Sequence, residues 1–457
     1  VVIQFLRWEV DNKNPIGMLI EEIGEIDIIN NEYKVLLYQH NLFYSKFKVP
    51  KFKLQNDMKK ENELQQMHPN YYVFSIDPEG CKDIDDAFHY IETETEYQIG
   101  VHITDIYEYF NENYINRINQ SSSVYMPTDI RHLLPEIYSE DICSLLKERI
   151  RKTVMVLFKY TKDYKYISTE ISKEIVKIRK NYNYDQVDKL LSYDEETTLH
   201  KFFNTSMKIS NKINDSHSLV EYFMIEANKA VAEKLYNYDK TNTILRIQNG
   251  TNIDYKVCNS INPNNKFDDF LKMRAMECAK YYIDNNENSV NIEHTALGIK
   301  YYTHFTSPIR RLADIYTHLQ INKYLNNEKL YNILEENTNL LDNMNRFQRK
   351  TRKLRNDIKK INIIYDLEDN YETTANIIDY NERYILIYIP LFDITHKIYN
   401  YSTRIDEIVN IDYNDEYIHI KYDDVDLKYY KYDEIYIRMN SIIQEDSMQR
   451  KLNIKIL

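Results

Sequence analysis

Four aspartates, Asp77, Asp83, Asp85 and Asp86, crowd into ten positions of the segment FSIDPEGCKDIDDAFHY, residues 74–90. An apolar strand-like stretch leads in, and Pro78 and Gly80 turn the chain. Carboxylates packed this closely repel one another, so a fold that gathers them needs a cation to neutralise them. Hard oxygen ligands suit Mg²⁺ or Mn²⁺. Two such ions could activate a water and stabilise the leaving oxygen of a phosphodiester, which is the two-metal-ion mechanism. An acidic surface loop is the plain alternative. A calcium loop of the EF-hand type fails because the D-x-D-x-D-G alternation is absent.

A second segment, YTHFTSPIRRLADIYTHL at 302–319, reads as a helix with Ser307 as N-cap and Pro308 at the first helical position. Ile309, Leu312, Tyr316 and Leu319 then form an apolar stripe. Arg310 and Arg311 would lie in the first turn, where the helix dipole disfavours cations. An anion arriving there would account for them, since free backbone N–H groups and a guanidinium fork make a phosphate site. The competing reading is a surface helix in which Arg310 pairs with Asp314 one turn later.

The chain has 457 residues, room for two to four domains. Residues 1–50 carry short apolar runs, Met18–Ile20 and Tyr33–Tyr38, which suggest a small, incomplete β domain. Residues 51–70 are polar and read as a linker. From 71 to 366 the pattern is mixed α/β. Strands are expected at Tyr71–Ile76 and Tyr97–Thr104, and helices at Ser218–Leu235 and Asp342–Asp366. The last helix has Met344, Phe347, Thr351, Leu354, Ile358 and Ile361 on one face. Its other face carries Arg346, Arg349, Lys350, Arg352, Lys353 and Arg355. Residues 370–457 alternate apolar and polar, as in Ile435, Ile437 and Met439, and predict a small barrel or sandwich.

No stretch of about 18 apolar residues predicts a membrane span. No basic leader followed by an apolar run opens the chain, so secretion is not expected. The chain begins without Met, which suggests a piece of something longer. Cys81, Cys143, Cys258 and Cys278 form no C-x-x-C pair. Reduced thiols in a cytoplasmic or nuclear compartment fit this spacing. The net charge of −12 argues against a wholly basic surface. A local basic channel for nucleic acid remains compatible with it, because phosphate affinity depends on where Lys and Arg cluster.

Taken together, the two segments resemble the catalytic RNB domain of the ribonuclease II/ribonuclease R family. That family's patterns look like I-D-P-x-x-x-x-D-x-D-D-A and H-F-T-S-P-I-R-R-x-A-D, and both are met here in order. Weaker matches are VHITDIYEY, SVYMP, LLPE, CSL, EYFMIEAN and LRIQNG. The resemblance covers about residues 71–366. It implies an α+β architecture, an RNB domain flanked by small OB-type β-barrels, with a partial cold-shock-type domain before it and an RNA-binding OB domain after it. It implies a hydrolytic 3′-to-5′ exoribonuclease that takes single-stranded RNA and releases nucleoside 5′-monophosphates. Carried over by position, Asp77, Asp83 and Asp86 look like metal ligands, and Asp85 looks like the aspartate on which catalysis depends most. Arg310 looks like the arginine that steadies the scissile phosphate, with Arg311 beside it. Tyr125 and Tyr184 look like base-stacking residues, a sequence-tolerant contact. Arg349 and Arg352, on the basic helix face, are expected to flank the RNA path.

Similarity in LKMRAM and HTALGIKYYTHFTSP leans to the eukaryotic branch, which includes the exosome's catalytic subunit. An exosome-like complex or a helicase is the partner this implies, and no membrane. Several positions depart from the pattern: Leu319 stands where the family usually has Arg, Leu312 replaces an aromatic, and Ile106-Tyr107 replaces Val-Ser. A Glu that the bacterial branch carries in its long C-terminal helix is absent. The alternatives are a catalytically weak RNA-binding or scaffold protein with the same fold, and a metal nuclease acting on DNA.

Overall fold

A computed structural model of the chain describes residues 1–9, 13–43, 47–62, 71–192, 197–250, 266–284, 290–336, 338–368, 370–381, 383–399, 410–413, 417–422, 425–443 and 450–457. Part of the expected linker (63–70) and Cys258 lie outside the described residues. The chain divides into two compact units. One comprises Val1–Phe43, Asn252–Ala275 and Arg349–Leu457; the other comprises Tyr44–Thr251 and Met276–Gln348.

The second unit is built on a closed five-stranded barrel. Its strands are β1 (Val73–Asp77), β2 (Asp86–Glu92), β3 (Glu96–Thr104), β4 (Ile150–Thr161) and β5 (Tyr166–Asn183). Successive strands pair antiparallel, and a parallel pairing of β1 with β5 closes the barrel, setting Asp77 opposite Asn183. Period-2 alternation decides which way each side chain points. Phe74, Ile76, Phe88, Tyr90, Ile99, Val101 and Phe158 face outward into a core. Helices α1 (Tyr184–Leu191), α2 (Thr198–Ile209) and α3 (Ser216–Tyr238) cover them with Val187, Phe202, Leu219 and Phe223.

The opposite parity carries a mixed set, with buried Ser75, His89, His102 and Thr153 alongside apolar Val73, Ala87 and Val176. Buried His89 and His102 share a hydrogen bond of 2.7 Å, and His102 Nδ1 lies 3.0 Å from Thr153 Oγ1. Tyr71 stacks on His89 with centroids 4.0 Å apart. Burial pushes His89 down to about 4 and His102 well below the usual histidine range, so both rings are neutral. Gly100 sits opposite His89 in the ladder, and a Cβ there would lie 2.0 Å from the imidazole.

Capping chemistry sets the helix starts. Asn183 and Gln186 form a reciprocal capping box for α1, as Asp215 and Ser218 do for α3. Helix α4 (Leu312–Leu325) is buried at every residue from Leu312 to Asn322, so the surface-helix reading of this segment is corrected. Ile106, Ile309, Leu312, Leu319 and Met344 meet in one apolar cluster around it. The polar segment expected as a linker contains the helix Lys51–Asn62, whose Lys53 and Asp57 are a buried ion pair. Tyr138 donates to that Asp57 at 2.8 Å.

In the first unit, Val2–Arg7 and Ile16–Glu21 form an antiparallel hairpin. The run Tyr33–Tyr38, read from sequence as strand-like, lies in the helix Ile29–Gln39. Its buried residues, Tyr33, Leu36 and Leu37, follow helical rather than alternating spacing. The C-terminal part has a five-stranded antiparallel sheet and a three-stranded sheet. Ile435, Ile437 and Met439 are buried as the alternation predicts, while Tyr436 is exposed. Helix α5 (Leu340–Asp366) begins in one unit and ends in the other. It buries Met344, Phe347, Leu354 and Ile358 and exposes Arg349 and Arg352. Among the described residues, no helix is long and apolar enough to cross a membrane.

Candidate functional site

The barrel places the aspartates. β1 ends at Asp77 and its antiparallel neighbour β2 begins at Asp86, so both sit at the same end of the barrel. Between them, Cys81 N–H donates to Pro78 O at 3.1 Å, and Gly80 takes φ 75°. That is the positive φ a type II turn needs at its third residue. The loop is then pinned: Ile84 N–H donates to Ser144 Oγ at 3.0 Å, and Ser144 Oγ donates to Lys82 O at 2.6 Å. Thr104 N–H donates to Asp85 O at 3.0 Å.

Asp77 and Asp86 each keep one buried carboxylate oxygen with no hydrogen-bond partner. Burial pushes Asp77 up to about 6, with the Asp83 charge adding to it and the Ser75 hydroxyl and Arg310 opposing. Asp85 is pushed up to about 7 by burial, against the pull of Arg310. Asp86 is raised well above the carboxylate range by burial and by the charges of Asp77 and Asp85. Orphaned, desolvated oxygens of this kind fit a hard divalent cation. Among the described residues no three His, Cys, Asp or Glu side chains form a ready-made cage. Mg²⁺ does not require one, because it keeps several waters and takes ligands from substrate phosphates.

The arginines differ from the expectation. Helix α4 starts at Leu312 with Arg311 as N-cap residue, so Ser307 and Pro308 do not begin it. Residues 307–310 instead form a turn, in which Arg310 and Arg311 N–H groups donate to Ser307 O at 3.3 and 3.0 Å. Two carboxylates take the donors that a helix start would have used. Asp314 Oδ1 accepts from Ser307 N–H at 2.7 Å, and Asp85 Oδ1 accepts from Ile309 N–H at 2.8 Å. Arg310 does not pair with Asp314: its Nε donates to Asp85 Oδ2 at 3.1 Å and its Nη2 to Ser307 Oγ at 2.9 Å. Arg311 is the partner of Asp314, at 2.8 Å.

These groups line one cleft of about 570 Å³. Asp77, Asp83, Asp85, Asp86, Tyr125, Tyr184, Arg310 and Arg311 all contribute to it. Tyr125 is exposed and donates to Asp83 Oδ2 at 2.7 Å. It lies in the short strand Val124–Tyr125, and the preceding Ser123 ties this segment to the arginine turn, its N–H donating to Arg310 O at 2.9 Å. Tyr184 follows Asn183, the residue opposite Asp77, and stacks on His217 with centroids 3.7 Å apart. Arg349 and Arg352 belong to the other unit and are not among the residues that line the cleft.

Sequence reasoning assigned no role to Glu221 and Asn228, which also line the cleft. Their signal was helical spacing: Glu221, Met224, Ile225 and Asn228 fall on one face of α3. Asn228 accepts from Phe305 N–H at 2.8 Å and donates to Tyr302 and Thr306 at 3.2 and 3.4 Å, holding the approach to the arginine turn.

Comparison with known proteins is consistent along most of the chain. The family described as RNB domain matches residues 65–215 and 201–327, and the Dis3-like cold-shock domain 2 matches residues 1–41. The exosome complex exonuclease RRP44 homolog A of Arabidopsis thaliana is 24% identical over 481 residues, covering 87% of this chain and 51% of the relative. The chain thus spans about half the length of that relative. Among solved structures, Mycoplasma genitalium RNase R in complex with ribose-methylated single-stranded RNA aligns with a TM-score of 0.76 at 17% identity, over 99% of this chain and 82% of that one. Yeast Ssd1, a pseudonuclease, aligns with a TM-score of 0.75 at 15% identity, over 100% of this chain and 77% of that one. At these identities the structural matches speak to the fold.

Proposed function

The chain belongs to the RNB-domain family, and on that premise we propose that it is a divalent-metal-dependent hydrolase that shortens single-stranded RNA from its 3′ end, releasing nucleoside 5′-monophosphates. The observation that carries this reading is Asp85, which binds the backbone and the guanidinium of the arginine turn while its neighbours Asp77 and Asp86 keep orphaned oxygens in the same cleft. Asp77, Asp83 and Asp86 would hold Mg²⁺ or Mn²⁺. When bound, such ions, two in the fullest form of the mechanism, would offset the crowded negative charge and polarise the phosphate.

The protein's own groups do the rest. Arg310, fixed by Asp85 and Ser307 and open to the cleft, meets the non-bridging oxygens of the scissile phosphate. The guanidinium is aimed before substrate arrives, so little reorganisation is needed as charge develops. Water's oxygen bonds to the phosphorus of the last linkage, and the bond from phosphorus to the 3′ oxygen of the preceding nucleotide breaks. The terminal nucleotide leaves with its 5′-phosphate, and a proton passes to the new 3′ hydroxyl. Tyr125 and Tyr184 stack on bases, and Arg311 adds positive charge to the cleft wall. The kinship with exosome exonucleases supports an exosome-like complex or a helicase as partner, in the cytoplasm or nucleus.

The test compares a 5′-labelled RNA with the same DNA sequence, in Mg²⁺ and in EDTA. Wild type should shorten RNA only, and only with metal. Asp85→Asn should slow it by about 10²–10³-fold, the scale for loss of one preorganised electrostatic group. A wild type that binds RNA but leaves it as intact as Asp85→Asn does would establish the scaffold alternative instead.

A further inference from the structure

We propose that Asp314 is the positioning residue that aims Arg310 into the cleft, acting through Ser307 and Arg311 without touching RNA. The role given to Arg310 rests on the ribonuclease reading above; the positioning itself does not. Asp314 lies in the first turn of α4 with its side chain fully buried, and it is not among the residues lining the cleft. One oxygen, Oδ1, accepts from Ser307 N–H at 2.7 Å and from Arg311 Nη2 at 2.8 Å. Ser307 passes the constraint on, because its hydroxyl accepts from Arg310 Nη2 at 2.9 Å. Arg311 N–H closes the turn on Ser307 O at 3.0 Å.

The turn from Ser307 to Arg310 is therefore held between two buried carboxylates. Asp85 grips Ile309 N–H and Arg310 Nε from the barrel, and Asp314 grips Ser307 N–H from the helix. Pro308 offers no N–H, so Ser307 is the point at which the helix side can fasten the turn. A simple helix-dipole partner would not need to be buried, since an acid in a first turn is favourable when exposed. Burying it is costly, and the hydrogen bonds that offset the cost are those of Oδ1 to the arginine turn, since Oδ2 keeps no hydrogen-bond partner.

Two variants separate aiming from mere stability. Asp314→Asn keeps an oxygen for Ser307 N–H but loses the charge; Asp314→Ala loses both. Each is made in the full chain. kcat and KM are measured on 5′-labelled RNA with Mg²⁺. Arginine Nε–H signals are followed by ¹⁵N NMR, with Arg310→Lys identifying the Arg310 signal. The expected result for Asp314→Ala is a kcat lower by about 100-fold, the scale of a misplacement near 1 Å. KM should change little, and the Arg310 signal should move to the position of a solvent-exposed arginine. Asp314→Asn should restore most of kcat and keep the signal in place. The proposal is overturned if Asp314→Ala leaves the signal unmoved, whatever its effect on melting temperature. Should Asp314→Ala fail to fold, a folded Asp314→Asn with a displaced signal and lost kcat overturns it equally. A wild type without ribonuclease activity would sink the functional reading alone, and the NMR comparison would still decide the positioning.

Discussion

A carboxylic acid removed from water favours its proton, and three of the site aspartates are in that position. Asp77 is raised to about 6, Asp85 to about 7, and Asp86 well above the usual carboxylate range, with burial the leading cause in each. For a group whose folded-state value lies above its unfolded one, the stabilising contribution is complete below the unfolded value, about 3.8 for Asp. It is lost as pH rises through the folded value. Without metal, the acidic cluster therefore weighs on the fold most above pH 7. A divalent cation bound there would replace the proton as the neutralising charge, and its binding would release protons. Mg²⁺ should consequently raise the melting temperature more at pH about 8 than at pH about 5, and EDTA should reverse the gain. Asp77→Asn should shrink the Mg²⁺ effect. Thermal unfolding at the two pH values measures this, and an equal shift at both would contradict a cation held by these carboxyls.

At the scale of elements, the barrel depends on an inward close approach that only glycine permits. Gly100 faces His89, and a Cβ would fall 2.0 Å from the ring. Gly100→Ala should destabilise the unit by about 1–3 kcal/mol, the usual cost of overpacking. Combining it with His89→Ala should cost less than the two single changes added together. Urea unfolding of the three variants checks this, and simple additivity would mean that the imidazole is not the obstacle. The strand–turn–strand unit carrying the aspartates was legible because Phe74 and Ile76 alternate and Pro78 and Gly80 break the run. The parallel pairing of β1 with β5, which brings Asp77 beside Asn183 and Tyr184, was not legible, since it joins residues far apart in sequence. The start of α4 departs from the sequence expectation for a definite reason. Ser-Pro is a good local helix start, but Asp314 and Asp85 outcompete it for the Ser307 and Ile309 N–H groups. Three departures from the family pattern also become intelligible together: Ile106, Leu312 and Leu319 pack in one apolar cluster, where an arginine at 319 would have been buried.

For the whole molecule, the difficulty is charge. On the proposed ribonuclease reading, a chain of net charge −12, with four aspartates in its cleft, must still attract a polyanion. Arg310 and Arg311 are each held by a carboxylate, Asp85 and Asp314, so they add little long-range attraction. On that reading, capture of a long RNA would fall to cations elsewhere, and the exposed face of α5 with Arg349 and Arg352 is the densest run of them in the sequence. Each phosphate contact to a single strand contributes a slope of about −0.7 in log affinity against log salt. Arg349→Ala combined with Arg352→Ala should therefore weaken binding of a long single-stranded RNA and flatten its salt dependence by up to about 1.4. The turnover rate of an oligonucleotide too short to leave the cleft should not change, because neither arginine lines it. Binding isotherms across a salt series, with short-substrate kinetics alongside, distinguish the outcomes. An unchanged slope would make this helix face a solvated surface, and a loss of short-substrate turnover would tie it to the fold of the cleft rather than to RNA capture.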